Sequence, residues 1–307
     1  MVVLVLVFVL QSIAFITLYE RHLLGGVIYW VWASFIGYER HLLGSSQIRL
    51  GPNKVSFMGL LQALLDGLKL LKKEQILPIY SSELIFLLVP GVSFLVMILE
   101  WFLLPFFFDF LSFEYSLLFF LCLLGFVVYS LMISGFISKS KYGMIGALRA
   151  SSQSVSYEII FSIFLLSVMM YLGVFVFVKG FLILMIFMWL PFLIMIVAEL
   201  NRAPFDFSEG ESELVSGYNV EFGSVSFVLL FLSEYGSLIF FCLLLSVFFF
   251  DFSLLMVFLI FSLLIFLRSS YPRYRYDLLM SMFWFKFLPI SLVYFFFFIF
   301  WLYFNYF

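Results

Sequence analysis

Charge is the scarcest property of this sequence. Only 11% of its 307 residues are Asp, Glu, Lys or Arg, and 65% are hydrophobic, whereas a soluble domain carries roughly 25% charged and 45–50% apolar residues. That imbalance leaves too little polar surface to cover a core in water, which excludes a soluble globular domain. Cysteine is almost missing as well. Cys122 and Cys242 each sit inside an apolar run with no close-spaced Cys or His, which excludes a disulfide framework and an iron–sulfur or zinc site. No Walker or G-x-G-x-x-G motif occurs, and both histidines fall in one repeated heptapeptide, so the chain offers no nucleotide cradle and no metal site. Nucleic acid is not an expected partner. The opening MVVLVLVFVL has neither a basic n-region nor a small-residue cleavage site, so no removable signal or Arg-rich transit peptide is expected. Phe, at 47 residues, reflects either an A/T-biased genome such as an organelle's or the fitness of aromatic rings for lipid.

Long apolar runs stand in place of the missing features. Windows of about 18–25 residues predict transmembrane helices near 2–18, 84–104, 115–137, 155–178, 181–198, 222–249, 252–267 and 287–304. Each must be helical, because lipid gives backbone groups no other partner. The fold expected is therefore an all-α polytopic membrane protein of about eight spans in a single membrane domain, 1–307. Segment 57–75 differs: its leucines line one face and Gln62, Asp66, Lys69, Lys72 and Lys73 the other, the pattern of a helix lying in the interface or against a partner.

Alternating loops sort the basic residues. Arg21, Arg40, Arg49, Lys54, Lys69, Lys72 and Lys73 share a face with Lys139, Lys141, Arg149, Arg202, Arg268, Arg273, Arg275 and Lys286, leaving only Lys179 opposite. The positive-inside rule puts that face in the matrix or cytoplasm and both termini outside. The heptapeptide YERHLLG disturbs the scheme, since it occurs at Tyr19–Gly25 and again at Tyr38–Gly44. The apolar piece between the copies is too short to span alone; it extends the first helix, forms a re-entrant or interfacial turn, or marks a local duplication or a sequence error.

The chemistry concentrates in Glu199–Glu221, ELNRAPFDFSEGESELVSGYNVE, which holds Glu199, Asp206, Glu209, Glu211, Glu213 and Glu221 against Arg202 alone. An acidic loop on the basic face runs against the topology rule. It is either a solvated loop or, given the interleaved Phe205, Phe207, Leu214, Val215 and Tyr218, one that folds against an apolar surface. Carboxylates crowded into a partly dry site share protons. Glu158 beside Tyr157, and Glu234 beside Tyr235, lie within spans, where a charge is tolerated mainly toward a bundle interior or polar pathway. Glu158, about one turn inside its span, is otherwise a helix-end residue; Glu100, Asp109, Glu114 and Asp251 read as ordinary interfacial charges. Two further clusters are SSQIRLGPNKVSF, with Gln47 and Arg49, and RSSYPRYRYD, whose Arg273 and Arg275 suit a docking patch or a headgroup anchor.

At these residues the chain resembles the family of the first membrane subunit of respiratory complex I, NADH:ubiquinone oxidoreductase. The stretches YERHLLGSSQIRLGPNK, KSKYGMIGALRASSQSVSYE, ELNRAPFDFSEGESELVSGYNVEF, SEYGS and YPRYRYD carry the resemblance, which covers essentially the whole chain. It implies a heel subunit in the mitochondrial inner membrane with charged loops facing the matrix. Ubiquinone would be a substrate reached by a tunnel lined by Gln47, Arg49, Asp66, Arg202 and Phe205. The family shows the glutamate of YERHLLG once, so either Glu20 or Glu39 takes its place; Glu39 keeps the spacing to QIRLGPN, Glu20 the spacing to the first span. The acidic path would comprise Tyr157, Glu158, Glu199, Asp206, Glu209, Glu211, Glu213, Glu221 and Glu234. Flavin and iron–sulfur clusters belong to partner subunits, so no catalytic redox group is expected on this chain. Quinone-site subunits of the hydrophilic arm, small membrane-arm subunits and lipid are the implied partners. A stand-alone ion or solute transporter fits buried carboxylates and a basic inner face too, although no inverted repeat is evident.

Overall fold

The computed structural model describes residues 25–55, 59, 61–78, 81–104, 115–173, 175–177, 186–206, 217–219, 221–250 and 253–306. The expected span at 2–18, with Glu20, Asp109, Glu114, Lys179, Glu209, Glu211, Glu213 and Asp251, lies outside the described residues. The chain is an all-α polytopic membrane protein, and its contacts divide it into two units, Met1–Lys69 and Leu70–Phe307.

In the first unit, α1 spans Gly25–Ser46, and α2, Gln62–Lys72, begins there and has its last turn past the boundary at Lys69. The piece between the two heptapeptides is thus helical through to Ser46 and is not a turn. It contains no proline, so every residue can join the ladder. After α1 the chain folds back tightly: the Arg49 amide donates to the Gly44 carbonyl at 2.8 Å, and Ile48 takes φ 55°. A side chain on Gly44 would meet the Gly51 nitrogen at 3.0 Å, so the turn is tight and the backbone of Gly51 would have to give way to one. On α2 the leucines Leu65, Leu68 and Leu71 are exposed, as an amphipathic helix presents them. The polar side is tied down by Arg40, whose Nη1 donates to Asp66 Oδ2 at 2.7 Å. Both partners are partly solvated, so the pair fixes α1 to α2 more by geometry than by energy.

The second unit contains α3 (Glu83–Trp101), α4 (Ser116–Ser138), α5 (Lys141–Leu172), α6 (Ile186–Glu199), a 3₁₀ turn (Gly217–Asn219), α7 (Ser224–Phe250), α8 (Leu254–Ser270), α9 (Tyr276–Met282), a π turn (Phe283–Phe287) and α10 (Leu288–Tyr306). Among the described residues, five helices are long and apolar enough to cross a membrane, and Phe187–Glu199 and Leu254–Ser270 are shorter apolar helices. The longest, α5, begins at Lys141. Residues 141–154, expected in a loop, are therefore its first turns, and Glu158 sits at mid-helix rather than near an end.

Helix α5 packs against α4, α6, α10, the 3₁₀ turn and the π turn. Its corner with α4 is built by short-range chemistry. Lys139 takes φ 48° and Ser140 caps α5 by accepting the Gly143 amide at 3.1 Å, satisfying a donor that the first turn leaves over. Gly135 faces Ala147 so closely that a Cβ there would collide with the alanine methyl, which lets the two backbones approach as small residues do in membrane bundles. Farther along, Phe120 of α4 touches Phe161 of α5 and Phe240 and Phe241 of α7, with centroids 5.3–6.4 Å apart. Ser130, Ser134, Ser167 and Ser246, inside this apolar bundle, donate their hydroxyls to carbonyls one turn back, so the burial of these four leaves no donor unmet.

Two contacts set the register of α3 against α7. Phe86 stacks on Phe222 with centroids 4.5 Å apart, and Trp101 Nε1 donates to the Gly236 carbonyl at 3.2 Å. Both helices advance together between these points, so they run parallel and Glu100 lies level with Glu234 and Tyr235. In the first turn of α10, Pro289 has no amide to continue the ladder, and the Leu288 amide reaches five residues back to Phe283, the bonding of a π turn.

Substituting Gly135 with Val is expected to destabilise the α4–α5 corner by about 1–3 kcal/mol, the usual cost of overpacking. Gly91→Ala, where nothing lies within 4 Å, should leave melting unchanged or slightly raised. Thermal unfolding in detergent, followed by tryptophan fluorescence, measures both.

Candidate functional site

Polar side chains from α5, the segment after α6, the 3₁₀ turn and α7 meet inside the second unit. Helix α5 contributes Gln153 and Tyr157, four residues apart on one face, and Glu158, turned about 100° from Tyr157. Tyr157 is 1% exposed, and its hydroxyl donates to Asn201 Oδ1 at 3.0 Å. Gln153 is buried, and its amide donates to the Phe205 carbonyl at 3.0 Å. These two bonds hold the segment Asn201–Asp206 against α5. That segment leaves α6 through Asn201, at φ 49°, and contains a cis Ala203–Pro204 bond. The Phe205 ring is buried against Phe283 and Tyr274, with centroids 6.1 and 5.6 Å away, and the Tyr274 amide donates to the Pro204 carbonyl at 2.9 Å. Phe283 also packs on Tyr157, at 5.5 Å, so the π turn backs both Tyr157 and Phe205.

The charges are placed around this frame. Asp206 meets Arg273 at 3.3 Å, with the Asp206 side chain largely covered. Arg202 lies 4.6 Å over the Tyr235 ring, a cation–π contact beside Glu234. Glu234 accepts a 2.7 Å hydrogen bond from the Tyr218 hydroxyl, and Arg202 and Asp206 act on its carboxyl electrostatically. Tyr218 and Asn219 of the 3₁₀ turn are buried. Tyr218 and Phe222 pack with Phe86, Ala147 and Leu230. The described ends of the acidic stretch therefore fold into the bundle, although Glu221 is exposed.

Glu199 ends α6, and its Oε2 is shut off from solvent without a hydrogen-bond partner. Glu158 lies within its electrostatic reach. Glu158 Oε1 points at α4, where a Cβ on Gly125 would stand 3.3 Å away. Glu158, Glu199 and Glu234 thus lie on three helices, joined through Tyr157, Asn201, Arg202 and Tyr218. Such an arrangement can hold, share and pass protons, because the charge of each carboxylate acts on its neighbours.

Sequence reasoning missed Asn201, Gln153, Tyr218 and Asn219 as partners. It also set Glu100 at the outer interface, whereas Glu100 is 3% exposed; the apolar residues that flank it in LVMILEWFLL were the available signal. Arg273, expected at a surface patch, is engaged by Asp206, while Arg275 stays exposed beside Asp277. In the first unit Glu39 is buried on α1, and Gln47 and Arg49 are exposed in the turn after it. No cluster of potential metal ligands occurs among the described residues.

Gln153→Leu removes the donor to the buried Phe205 carbonyl. It is expected to destabilise the segment after α6 by about 1–3 kcal/mol, read as a lower melting temperature together with faster hydrogen exchange over residues 201–206.

Residues 23–299 of the chain match the family model described as NADH dehydrogenase. The chain is 42% identical over 276 residues to the NADH-ubiquinone oxidoreductase chain 1 of Aedes aegypti, covering 85% of this chain and 88% of that one. It is 41% identical over 297 residues to the protein of the same description from Artemia franciscana, covering 94% and 93%. With the one from Osphranter rufus it shares 42% identity over 277 residues, covering 83% and 86%.

Proposed function

From the premise that this chain belongs to the NADH dehydrogenase family, we propose that it is the membrane subunit of a proton-pumping NADH:ubiquinone oxidoreductase through which quinone chemistry is coupled to proton movement. The observation that carries this reading is the set of at least half-buried carboxylates, Glu158, Glu199 and Glu234, held on separate helices, with Glu158 acting electrostatically on Glu199 and both Arg202 and Asp206 on Glu234. Carboxylates at membrane depth are costly and mark ion or proton routes. The absence of cysteine pairs or metal-ligand spacing in the sequence agrees with electron transfer through flavin and iron–sulfur clusters on partner subunits.

Roles follow by motif, each on its own unit. In the first, Glu39 or Glu20 faces ubiquinone, with Gln47, Arg49 and Asp66 along the quinone path; in the second, Arg202 and Phe205 serve that path. The acidic route comprises Tyr157, Glu158, Glu199, Asp206, Glu209, Glu211, Glu213, Glu221 and Glu234. Quinone reduction consumes protons and changes the charge of its chamber. That change acts first on Asp206, whose pairing with Arg273 it competes against, and then on Glu234 through Arg202. Each step biases protonation of the next group, which is a coupling free energy between sites. Ubiquinone is the substrate, and the hydrophilic-arm quinone subunits and small membrane-arm subunits are the partners. The chain lies in the mitochondrial inner membrane with Arg273, Arg275 and the acidic loop on the matrix side.

Asp206→Asn and Glu211→Gln are expected to lower quinone-dependent NADH oxidation and the proton pumping tied to it by about 100-fold, the low end of what a positioned proton carrier contributes. Oxidation by ferricyanide, which bypasses quinone, should persist. Intact quinone reduction and pumping in both variants would overturn the reading. Sidedness is checked separately: single cysteines at Lys139 and Arg275 should react with an impermeant maleimide in inverted inner-membrane vesicles and not in intact mitoplasts.

A further inference from the structure

Glu100 has no role in the reading above, yet its setting resembles that of the carboxylates that do. It lies one residue before the end of α3 and is 3% exposed. The parallel register of α3 and α7, pinned by Phe86 on Phe222 and by Trp101 on the Gly236 carbonyl, sets it level with Glu234 in the middle of α7. Among the described residues its carboxyl makes neither a hydrogen bond nor an ion pair, and the Glu199 carboxyl is within its electrostatic reach. The Glu199 Oε2 is itself shut off from solvent, with no hydrogen-bond partner among the described residues.

An ionised carboxylate kept from water without a counter-charge or hydrogen bonds costs several kcal/mol. Buried polar groups are otherwise paired, and an exception calls for a reason. A Gln or Leu at this position would fill the space without the charge, so packing alone does not call for a carboxyl. The ligand that answers an unpartnered buried carboxylate is a proton.

We propose that Glu100 is a further proton-carrying residue of this subunit, exchanging a proton with Glu199 and so extending the acidic route from α5 and α6 onto α3. The step is a simple transfer: an O–H bond breaks at the Glu199 carboxyl and one forms at Glu100, with no change in oxidation state. A fourth helix is thereby joined to the route, at the depth where α3 packs against α4 and α7. The proposal rests on the proton-coupling role of Glu199 and Glu234.

The test uses the whole respiratory complex in inner-membrane vesicles, with Glu100→Gln, Glu100→Asp, Glu199→Gln and Glu234→Gln compared for protons moved per NADH oxidised and for ferricyanide reduction as a gauge of assembly. An assembled Glu100→Gln complex that loses most of its pumping per NADH, with Glu100→Asp restoring it, supports the proposal. If Glu100→Gln pumps like the native complex while Glu199→Gln and Glu234→Gln fail, the Glu100 inference falls and the wider reading stands. If Glu199→Gln and Glu234→Gln also pump normally, the wider reading falls and this inference with it. Should Glu100→Gln not assemble, Glu100→Asp decides through the infrared difference spectrum on quinone reduction: a displaced carboxylic-acid carbonyl band supports proton exchange at Glu100, and an unmoved band overturns it.

Discussion

A polar group inside an apolar bundle has few neighbours able to satisfy it, and most features of the second unit answer that constraint. Backbone groups close on themselves as helices. Serine hydroxyls bond carbonyls one turn back along the same helix. Where a helix ends, its loose groups are met locally, as the Ser140 hydroxyl accepts the Gly143 amide and the Gly173 amide donates to the Met169 carbonyl. Gln153, Tyr157 and Tyr218 cannot be satisfied within their own turns, and each reaches a different element: Phe205, Asn201 and Glu234. The polar interior is therefore a set of bonds between segments, and it holds those segments in place.

Helix α5 carries most of that burden. Its early turns pack closely on α4 through Gly135 and Ala147, and its middle presents Gln153 and Tyr157 to the segment after α6. Behind them, Phe283 lies against both Tyr157 and Phe205. The π turn that holds Phe283 follows from Pro289, which cannot donate to the ladder, so a proline four residues before Val293 shapes the wall of a site far away in sequence. Packing and chemistry are thus coupled. The groups that hold the segment after α6 are the ones that border its charges.

In the proposed function the redox groups sit on partner subunits, and the answer of this chain to quinone chemistry is electrostatic. Asp206 is suited to receive the signal, since its side chain is largely covered yet paired with a partly solvated Arg273. Arg202, poised over Tyr235, and Asp206 both act electrostatically on the Glu234 carboxyl, so a change of charge at either is felt there.

Much of this protein was legible in its sequence. Scarce charge and long apolar runs specified a helical membrane chain, because a lipid-facing backbone has no alternative, and the uninterrupted motifs from YERHLLG to YPRYRYD carried the family resemblance. Glu158 and Glu234 stood out as carboxylates within apolar runs. The sequence left open whether the piece between the repeats was a helix or a turn, and it placed Glu158 near a helix end and Glu100 at an interface. Those errors share one cause: hydropathy is summed along the chain, whereas depth and facing depend on how helices distant in sequence align. Only the tertiary structure decided that α5 begins at Lys141, that Arg273 meets Asp206, and that α3 runs parallel to α7 with Glu100 level with Glu234. Each is a relation between surfaces, set by which side chains interlock, and no count along a single strand of residues contains it.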